Sequence, residues 1–475
     1  VKKGVNVASN RYDLAVIGSG PGGYEAAIRA SQLKMRVCVI ERDRPGGVCL
    51  NWGCIPSKSL LNSAETMEII GGAGKEHGIE TGEVRFDFKR VIARSREAAD
   101  KLSRGVRFLL RKNNIELFEA SAAFAGPHSL ALSRSDGKPP AAPAIEAERI
   151  LIAAGSRERL FPGMTIGDGM LTSREALVYD QLPESIAVIG AGAVGLEFAY
   201  FYQAFGAKVT IIELEKQMLP GFDAEIAEEL RRAFLKRKVE VLLGHGYKSA
   251  ARKGDRWTVT LESGGQSKTV EAEMVLVAVG RSPNSEGLGL EKVGVDVERG
   301  GFIRIDDSFR TSREGIYAIG DVIRPPLLAH KASAEGIAAV EIMAGVREPG
   351  FDLMNIPGCV YCEPEVATIG MTEAAAKEAG IEVKVGKFPF RANGKAVAVN
   401  HVEGFVKLVV GKKYGEVIGC QIIGHGATDL ISEVALGKTL EATTLEFGRT
   451  VHPHPTLSEA IMEAALAAEG EAINF

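Results

Sequence analysis

The segment Gly46-Gly47-Val48-Cys49-Leu50-Asn51-Trp52-Gly53-Cys54-Ile55-Pro56-Ser57-Lys58 carries two cysteines five residues apart. In a regular helix such residues are displaced by about 7.5 Å along the axis and point in different directions. A disulfide needs Cα atoms within about 7 Å. A bond between Cys49 and Cys54 therefore requires the Cys49 end to leave regular helical geometry, which Gly46, Gly47 and Gly53 permit. A bond formed under such constraint is easily reduced, which suits catalysis better than stapling. Zinc at these thiols would need two more ligands nearby. The only other close pair, Cys359 and Cys362, lies far downstream, so no metal is expected. Inert buried thiols are the remaining alternative. We read the pair as redox-active.

Thiol–disulfide exchange needs a thiolate, and a free cysteine at neutral pH is largely protonated. A histidine can take the proton from an incoming dithiol and return it in the reverse direction. His454, in His452-Pro453-His454-Pro455-Thr456-Leu457-Ser458-Glu459, is the candidate base, with Glu459 fixing its tautomer. Thr456 and Glu459 also fit a capping box opening the last helix, which is the bland alternative. Lys58 would stabilise negative charge on a reduced cofactor, with Glu197 holding it by pairing; exposed helix charges are the alternative for both. Cys359-Val360-Tyr361-Cys362 lies in a strand-like run and reads as structural.

Two segments of one design must position this chemistry. Asp13–Ile17 runs into Gly18-Ser19-Gly20-Pro21-Gly22-Gly23, then a helix, then a strand ending at Glu41. Ile186–Ile189 runs into Gly190-Ala191-Gly192-Ala193-Val194-Gly195, then a helix, then Lys208–Ile212 ending at Glu213. The intervals from first glycine to acid are equal, 41 − 18 = 23 and 213 − 190 = 23. Each is a dinucleotide-binding βαβ unit. The first glycine turns the chain, the second admits the pyrophosphate, the third lets the helix pack close, and the acid takes ribose hydroxyls. The first copy lies near the cysteines, so a flavin (FAD) belongs there and the nicotinamide belongs to the second. Glu213 would repel a 2′-phosphate, which favours NAD over NADP. Asp321, after the strand Gly315–Ile319, is a candidate for the flavin's ribityl hydroxyls. Gly155 and Gly280, the latter closing the apolar run Met274–Val279, are further cofactor candidates.

The chain has 475 residues, 45% apolar and 25% charged, enough for about three domains with filled cores. A formal charge of −4 offers no basic field for nucleic acid or an anionic membrane. No run of about 18 apolar residues could span a bilayer. Six cysteines are too few for a disulfide scaffold. Val1-Lys2-Lys3 is followed by no apolar core of a secretory signal, so a cytoplasmic protein with a disordered leader ending near Asn10 is expected. Helix is expected around Lys89–Lys112, short strands across Gly126–Pro143, and a hairpin of Val406–Val410 with Val417–Ile422 turning at Lys412–Gly415. The fold class is α/β: two Rossmann-like dinucleotide-binding domains plus a C-terminal α+β domain.

Together these motifs resemble the disulfide-reductase flavoproteins, the class I pyridine nucleotide-disulfide oxidoreductase family. The resemblance rests on residues 46–58, Leu328-Ala329-His330-Lys331-Ala332, Phe388-Pro389-Phe390-Arg391-Ala392-Asn393 and His454–Glu459, and covers nearly the whole chain after residue 10. The last two blocks favour the lipoamide branch. The resemblance implies Cys49 as the interchange thiol, Cys54 as the thiol against the flavin, and His454 with Glu459 supplied by the partner subunit of a homodimer. It implies residues 1–157 for FAD, 158–280 for NAD, 281–350 completing the FAD site and 351–475 as the dimerisation domain. Electrons would pass from dihydrolipoamide through the cysteines and FAD to NAD. The partners implied are a lipoyl-bearing acyltransferase or the H-protein of a multienzyme complex. The block Ala153-Ala154-Gly155-Ser156 has alanine where threonine is frequent, and Cys362 also stands where threonine is common. A glutathione-type reductase would want NADP, against Glu213. A mercuric reductase would end in a cysteine pair, whereas this sequence ends Ala472-Ile473-Asn474-Phe475. A mainly structural docking component is the reading from another class.

Overall fold

A computed structural model describes residues 11–72 and 77–475; the leader expected before Asn10 lies outside the described residues. The chain forms two compact units, each assembled from three segments.

The first unit comprises Val1–Pro56, Ala93–Arg159 and Arg281–Phe351. Its parallel strands run in the order Glu116–Glu119, Val37–Glu41, Arg11–Ile17, Ala144–Ile152 and Ile316–Ala318. Every residue of Val37–Glu41 is buried. A strand covered on both faces needs a continuous apolar run rather than alternation, and Val37-Cys38-Val39-Ile40 supplies it. The helices Pro21–Gln32 and Ala329–Met343 approach backbone to backbone: a Cβ at Gly336 would lie 2.5 Å from the Gly22 carbonyl oxygen. Lys331 and Glu335, one turn apart on the second helix, form a fully buried ion pair at 3.2 Å. Glu335 also accepts the Gly320 N–H at 2.9 Å.

The second unit comprises Ser57–Ile92, Leu160–Gly280 and Asp352–Phe475. It repeats the plan, with parallel strands in the order Glu240–Leu242, Lys208–Ile212, Ser185–Ile189, Met274–Val277 and Met170–Thr172. The helix Ala193–Ala204 is buried almost all round by Phe198, Tyr200, Phe201 and Tyr202, as a helix apolar on every side must be. The C-terminal portion is a five-stranded antiparallel sheet backed by the helices Ala427–Thr439 and Glu459–Glu469.

The expected hairpin is present as Phe405–Gly411 paired with Val417–Ile423. The helix runs Phe88–Lys112. Other edges differ. Met274–Val277 and Ile316–Ala318 stop short of the expected strands, because the chain leaves the sheet to reach the glycine turns at Gly280 and Gly320. In the region expected to hold short strands, one hairpin arm, Ser121–Gly126, lies almost wholly before Gly126, and its partner is Ser129–Ser133.

Every residue of Phe405–Gly411 is buried, including Lys407. Its ammonium lies 3.1 Å from Asp223, 2.7 Å from Glu225 and 3.0 Å from Glu373. Asp223 is itself buried and caps the helix Ala224–Lys236 through the Glu225 N–H. Removing one partner of a buried pair strands the other charge. Lys407→Met is therefore expected to destabilise the protein by about 3 kcal/mol, read as a lower urea midpoint. An unchanged midpoint would refute this. The hydrogen bonds from Lys387 and Lys407 hold the Glu225 carboxyl below its usual range. Its share of stability is present above the unfolded pKa and is lost as pH falls through the depressed value.

Candidate active site

The two glycine loops are built alike. A Cβ at Gly18 would overlap the Ala153 carbonyl, and one at Gly190 the Ala278 carbonyl. A Cβ at Gly23 would overlap the Gly18 carbonyl, and one at Gly195 the Gly190 carbonyl. The middle glycines, Gly20 and Gly192, face open space instead. The first and third glycines thus close the turn on the strand and helix, while the middle one leaves room for a ligand. Gly18 and Gly190 also sit at φ +100° and +108°, where a side chain is strained. Among the described residues, neither helix start has a side-chain cap or an acid in its first turn. Their terminal N–H groups and dipoles suit a pyrophosphate. The residues fit two dinucleotides.

Glu41 accepts the Ser19 N–H at 2.9 Å and the Asp43 N–H at 2.9 Å. Glu213 accepts the Ala191 N–H at 2.7 Å and the Glu215 N–H at 2.9 Å. Each carboxylate bridges the glycine loop and the strand end, and keeps lone pairs for a ribose. Gly155 and Gly280 both have positive φ, and the space a Cβ would take at each is open. Asp321 accepts the Ser156 hydroxyl at 2.6 Å, and Arg281 Nε donates to that hydroxyl at 2.7 Å. Ser156 and Arg281 carry no signal of a site role in the sequence.

Cys49 lies on the short helix Gly47–Trp52, and Cys54 begins the helix Cys54–Gly71. The break falls at Gly53, with φ −154° and ψ −113°. Both cysteines carry thiols in this structure; Cys49 stays helical, and the helix breaks between the two cysteines. A Cβ at Gly53 would sit 3.5 Å from the Cys49 Cα, which shows how tightly the chain folds back. The cysteine helix is fastened to the first glycine loop, since the Gly46 N–H donates to the Ser19 carbonyl at 2.9 Å. A Cβ at Gly47 would lie 2.7 Å from the Gly20 Cα. Asn51, fully buried, donates back to Pro45 and Gly47 carbonyls at 3.1 and 2.9 Å. Sequence reasoning missed this asparagine too. Its signal was a polar residue inside an apolar turn.

In the second unit, Lys58 is bidentate to Glu197, 2.9 Å to each oxygen. Glu197 also accepts the Tyr361 N–H at 3.2 Å, and the Lys58 ammonium lies 4.2 Å from the Tyr361 ring centroid. His454 Nδ1 is 2.9 Å from Glu459 Oε1. The other Glu459 oxygen accepts the Thr456 N–H at 2.8 Å. The histidine and cap readings are therefore compatible, because one carboxylate serves both. Thr456 Oγ1 turns away to the Pro453 carbonyl, so the capping box is only half formed. Burial pushes the Glu459 carboxyl up, but the Thr456 N–H and His454 outweigh it and hold it low. Burial raises the Cys359 thiol to about 11 and lifts Cys362 well above its ordinary value. Neither forms a thiolate readily, as suits a structural role.

The fold and these loops define a class. The chain belongs to the pyridine nucleotide-disulphide oxidoreductase family, whose model matches residues 12–336, while that family's dimerisation domain matches 356–465. It is an oxidoreductase and a flavoprotein with FAD and NAD as cofactors, and the dimerisation domain supports a homodimer. Within the family it is similar to the dihydrolipoyl dehydrogenase of Chlorobaculum parvum, 44% identical over 97% of this chain and 98% of the relative. The dihydrolipoyl dehydrogenase of Bacillus subtilis is 41% identical over 98% of this chain and 100% of its own. Among solved structures, LpdA from Mycobacterium tuberculosis matches with a TM-score of 0.88 at 28% identity, covering 96% of this chain and 98% of that one. The HOCl-induced flavoprotein disulfide reductase RclA from Escherichia coli matches at 0.83 and 26%, covering 95% and 98%. No described helix is long and apolar enough to cross a membrane.

The twin loops allow the two cofactors to be separated by mutation. Gly195→Ala forces its helix away from the Gly190 carbonyl and is expected to raise the KM for NAD roughly tenfold or more, with FAD retained. Gly23→Ala should instead weaken FAD retention. Flavin absorbance after gel filtration, beside NAD kinetics, checks both. Equal effects of the two changes on both cofactors would refute the assignment.

Proposed function

We propose that this protein is a dihydrolipoyl dehydrogenase, oxidising protein-bound dihydrolipoamide to lipoamide with NAD as the acceptor. It serves as the terminal component of 2-oxoacid dehydrogenase or glycine-cleavage complexes. It works as a homodimer in the cytoplasm and receives its substrate from a lipoyl-bearing acyltransferase or H-protein. The observation that carries this reading is the fastening of the cysteine helix to the first glycine loop.

Bound FAD supplies the two-electron carrier between the cysteine pair and the nicotinamide. The protein's own residues handle sulfur and protons. A substrate thiolate attacks Cys49 in the Cys49–Cys54 disulfide, forming a mixed disulfide and releasing Cys54 as a thiolate. The second substrate thiolate then displaces Cys49, and cyclic lipoamide leaves. His454 accepts the substrate proton, with Glu459 fixing its ring through Nδ1. Lys58, held by Glu197, would supply a cation to stabilise negative charge on a reduced flavin, and Asp321 would take ribityl hydroxyls. Gly18, Gly20, Gly23, Glu41 and Gly155 form the flavin cradle. Gly190, Gly192, Gly195, Glu213 and Gly280 form the NAD cradle.

Purified protein should be yellow, turn over dihydrolipoamide with NAD, and scarcely reduce glutathione disulfide with either nicotinamide. Strong glutathione activity would overturn the substrate assignment and leave the family membership intact.

A further inference from the structure

Outside the redox machinery, three side chains from distant parts of the sequence converge in the C-terminal sheet. Glu363 lies between the strands Gly358–Val360 and Val366–Gly370. His401 follows the helix Gly394–Ala398, and His425 sits in the turn between the strand Val417–Ile423 and the helix Ala427–Thr439. The imidazoles stack with centroids 4.0 Å apart and planes 16° from parallel. Each presents Nδ1 to a different oxygen of the one carboxylate, His401 at 3.7 Å and His425 at 3.9 Å. Those separations exceed a hydrogen bond. One donor atom from each residue lies within 4.8 Å of the other two.

We propose that Glu363, His401 and His425 form a binding site for one divalent transition-metal ion of the zinc type. Two imidazoles and a carboxylate are the donor set such ions prefer, at bonds of about 2.0–2.2 Å. Tetrahedral donors around such an ion stand about 3.4 Å apart, so the three donors, now within 4.8 Å of one another, must draw together on binding. An imidazole coordinates in its own plane, so binding must splay the stacked rings. Their side chains are 39% and 36% exposed, which leaves room for that movement and for ion entry. The backbone beneath is fixed. The Gly424 N–H donates to the Glu365 carbonyl at 2.9 Å, the His401 N–H to Ala396 at 2.9 Å, and Thr428 Oγ1 to the Glu365 carboxylate at 2.9 Å. Besides Glu363, the charged groups near the His425 ring include Glu365 and Glu65, and Arg237, near Glu363, is itself paired with Glu68. A bound ion would tie three loops of the sheet together, while water fills the remaining positions.

The test titrates FAD-containing, air-oxidised full-length protein, freed of metal by chelator and dialysis, with zinc chloride in a calorimeter. Wild type should bind one zinc per chain. His401→Ala and His425→Ala should each weaken that binding at least tenfold, and zinc should raise the Tm of wild type but not of the variants. A Cys49→Ser, Cys54→Ser double variant should bind as wild type does. No saturable binding by wild type, unaltered binding by both histidine variants, or loss confined to the cysteine variant would each overturn the proposal. Flavin absorbance and circular dichroism check that the variants are folded. If His425→Ala is not, His401→Ala alone decides.

Discussion

A Cys54→Ser variant is expected to remain yellow while its dihydrolipoamide–NAD turnover falls by at least about a thousandfold. The same holds for Cys49→Ser. The reason lies in bond counting: no exchange step can proceed unless both sulfurs are present to form and break the S–S bond. Serine is nearly isosteric and leaves the Gly46–Ser19 hydrogen bond intact, so the flavin loop keeps its shape. Oxidation of NADH by ferricyanide requires the flavin and not the thiols, so it should survive in both variants. The contrast between the two assays is the diagnostic. Near-normal lipoamide turnover in either variant would remove the basis of the proposed function.

The second large effect is expected at His454. Replacing it by alanine removes the proton acceptor, and general-base catalysis contributes typically about 10²–10⁴-fold. The loss should fall on kcat with lipoyl substrate and leave the ferricyanide reaction untouched. Glu459→Gln should cost less, roughly tenfold, because the amide oxygen can still accept from Nδ1. Glu459 is a positioning residue, so its variant should shift the pH profile as well as lower the rate. Burial raises the Glu459 carboxyl, but the Thr456 N–H and the imidazole hold it below its usual value. The pairing is therefore intact above the ordinary carboxylate range and is lost as pH falls through the depressed pKa. Glu459→Ala lacks the pair at every pH, so its activity should be lower throughout and should lose the part of the wild-type acid-side fall that follows protonation of Glu459. A His454→Ala enzyme with a normal rate and pH profile would sink the assignment.

The motifs legible in sequence are those whose partners lie close along the chain or repeat. Gly18-x-Gly20-x-x-Gly23 and its twin at 190–195 could be read because one turn and one helix start require all three glycines. The hairpin at 405–423 was legible from two apolar runs flanking a turn. The Lys58–Glu197 pairing was anticipated although 139 residues separate them, because both belong to a recognisable pattern. What stayed hidden was assembled from several segments with no local signature. Lys407 looks like any strand lysine until Asp223, Glu225 and Glu373 are found around it. Arg281 and Ser156 look like surface polar residues until Asp321 is placed beside them. Glu363, His401 and His425 gave no metal-binding spacing, since the fold alone brings them together. Strand edges were misjudged at Val277 and Ala318 because the apolar run continues past the point where the backbone turns.

The Lys407 cluster bears on how this protein can be dissected. A fragment ending after the second nucleotide-binding fold, before residue 405, would lose the Lys407 ammonium that lies against the buried Asp223. Expression of that half alone should yield insoluble product. Changing Asp223 to asparagine in the fragment would discard the orphaned charge yet keep a cap for the helix behind it, and is the first alteration to make when preparing it.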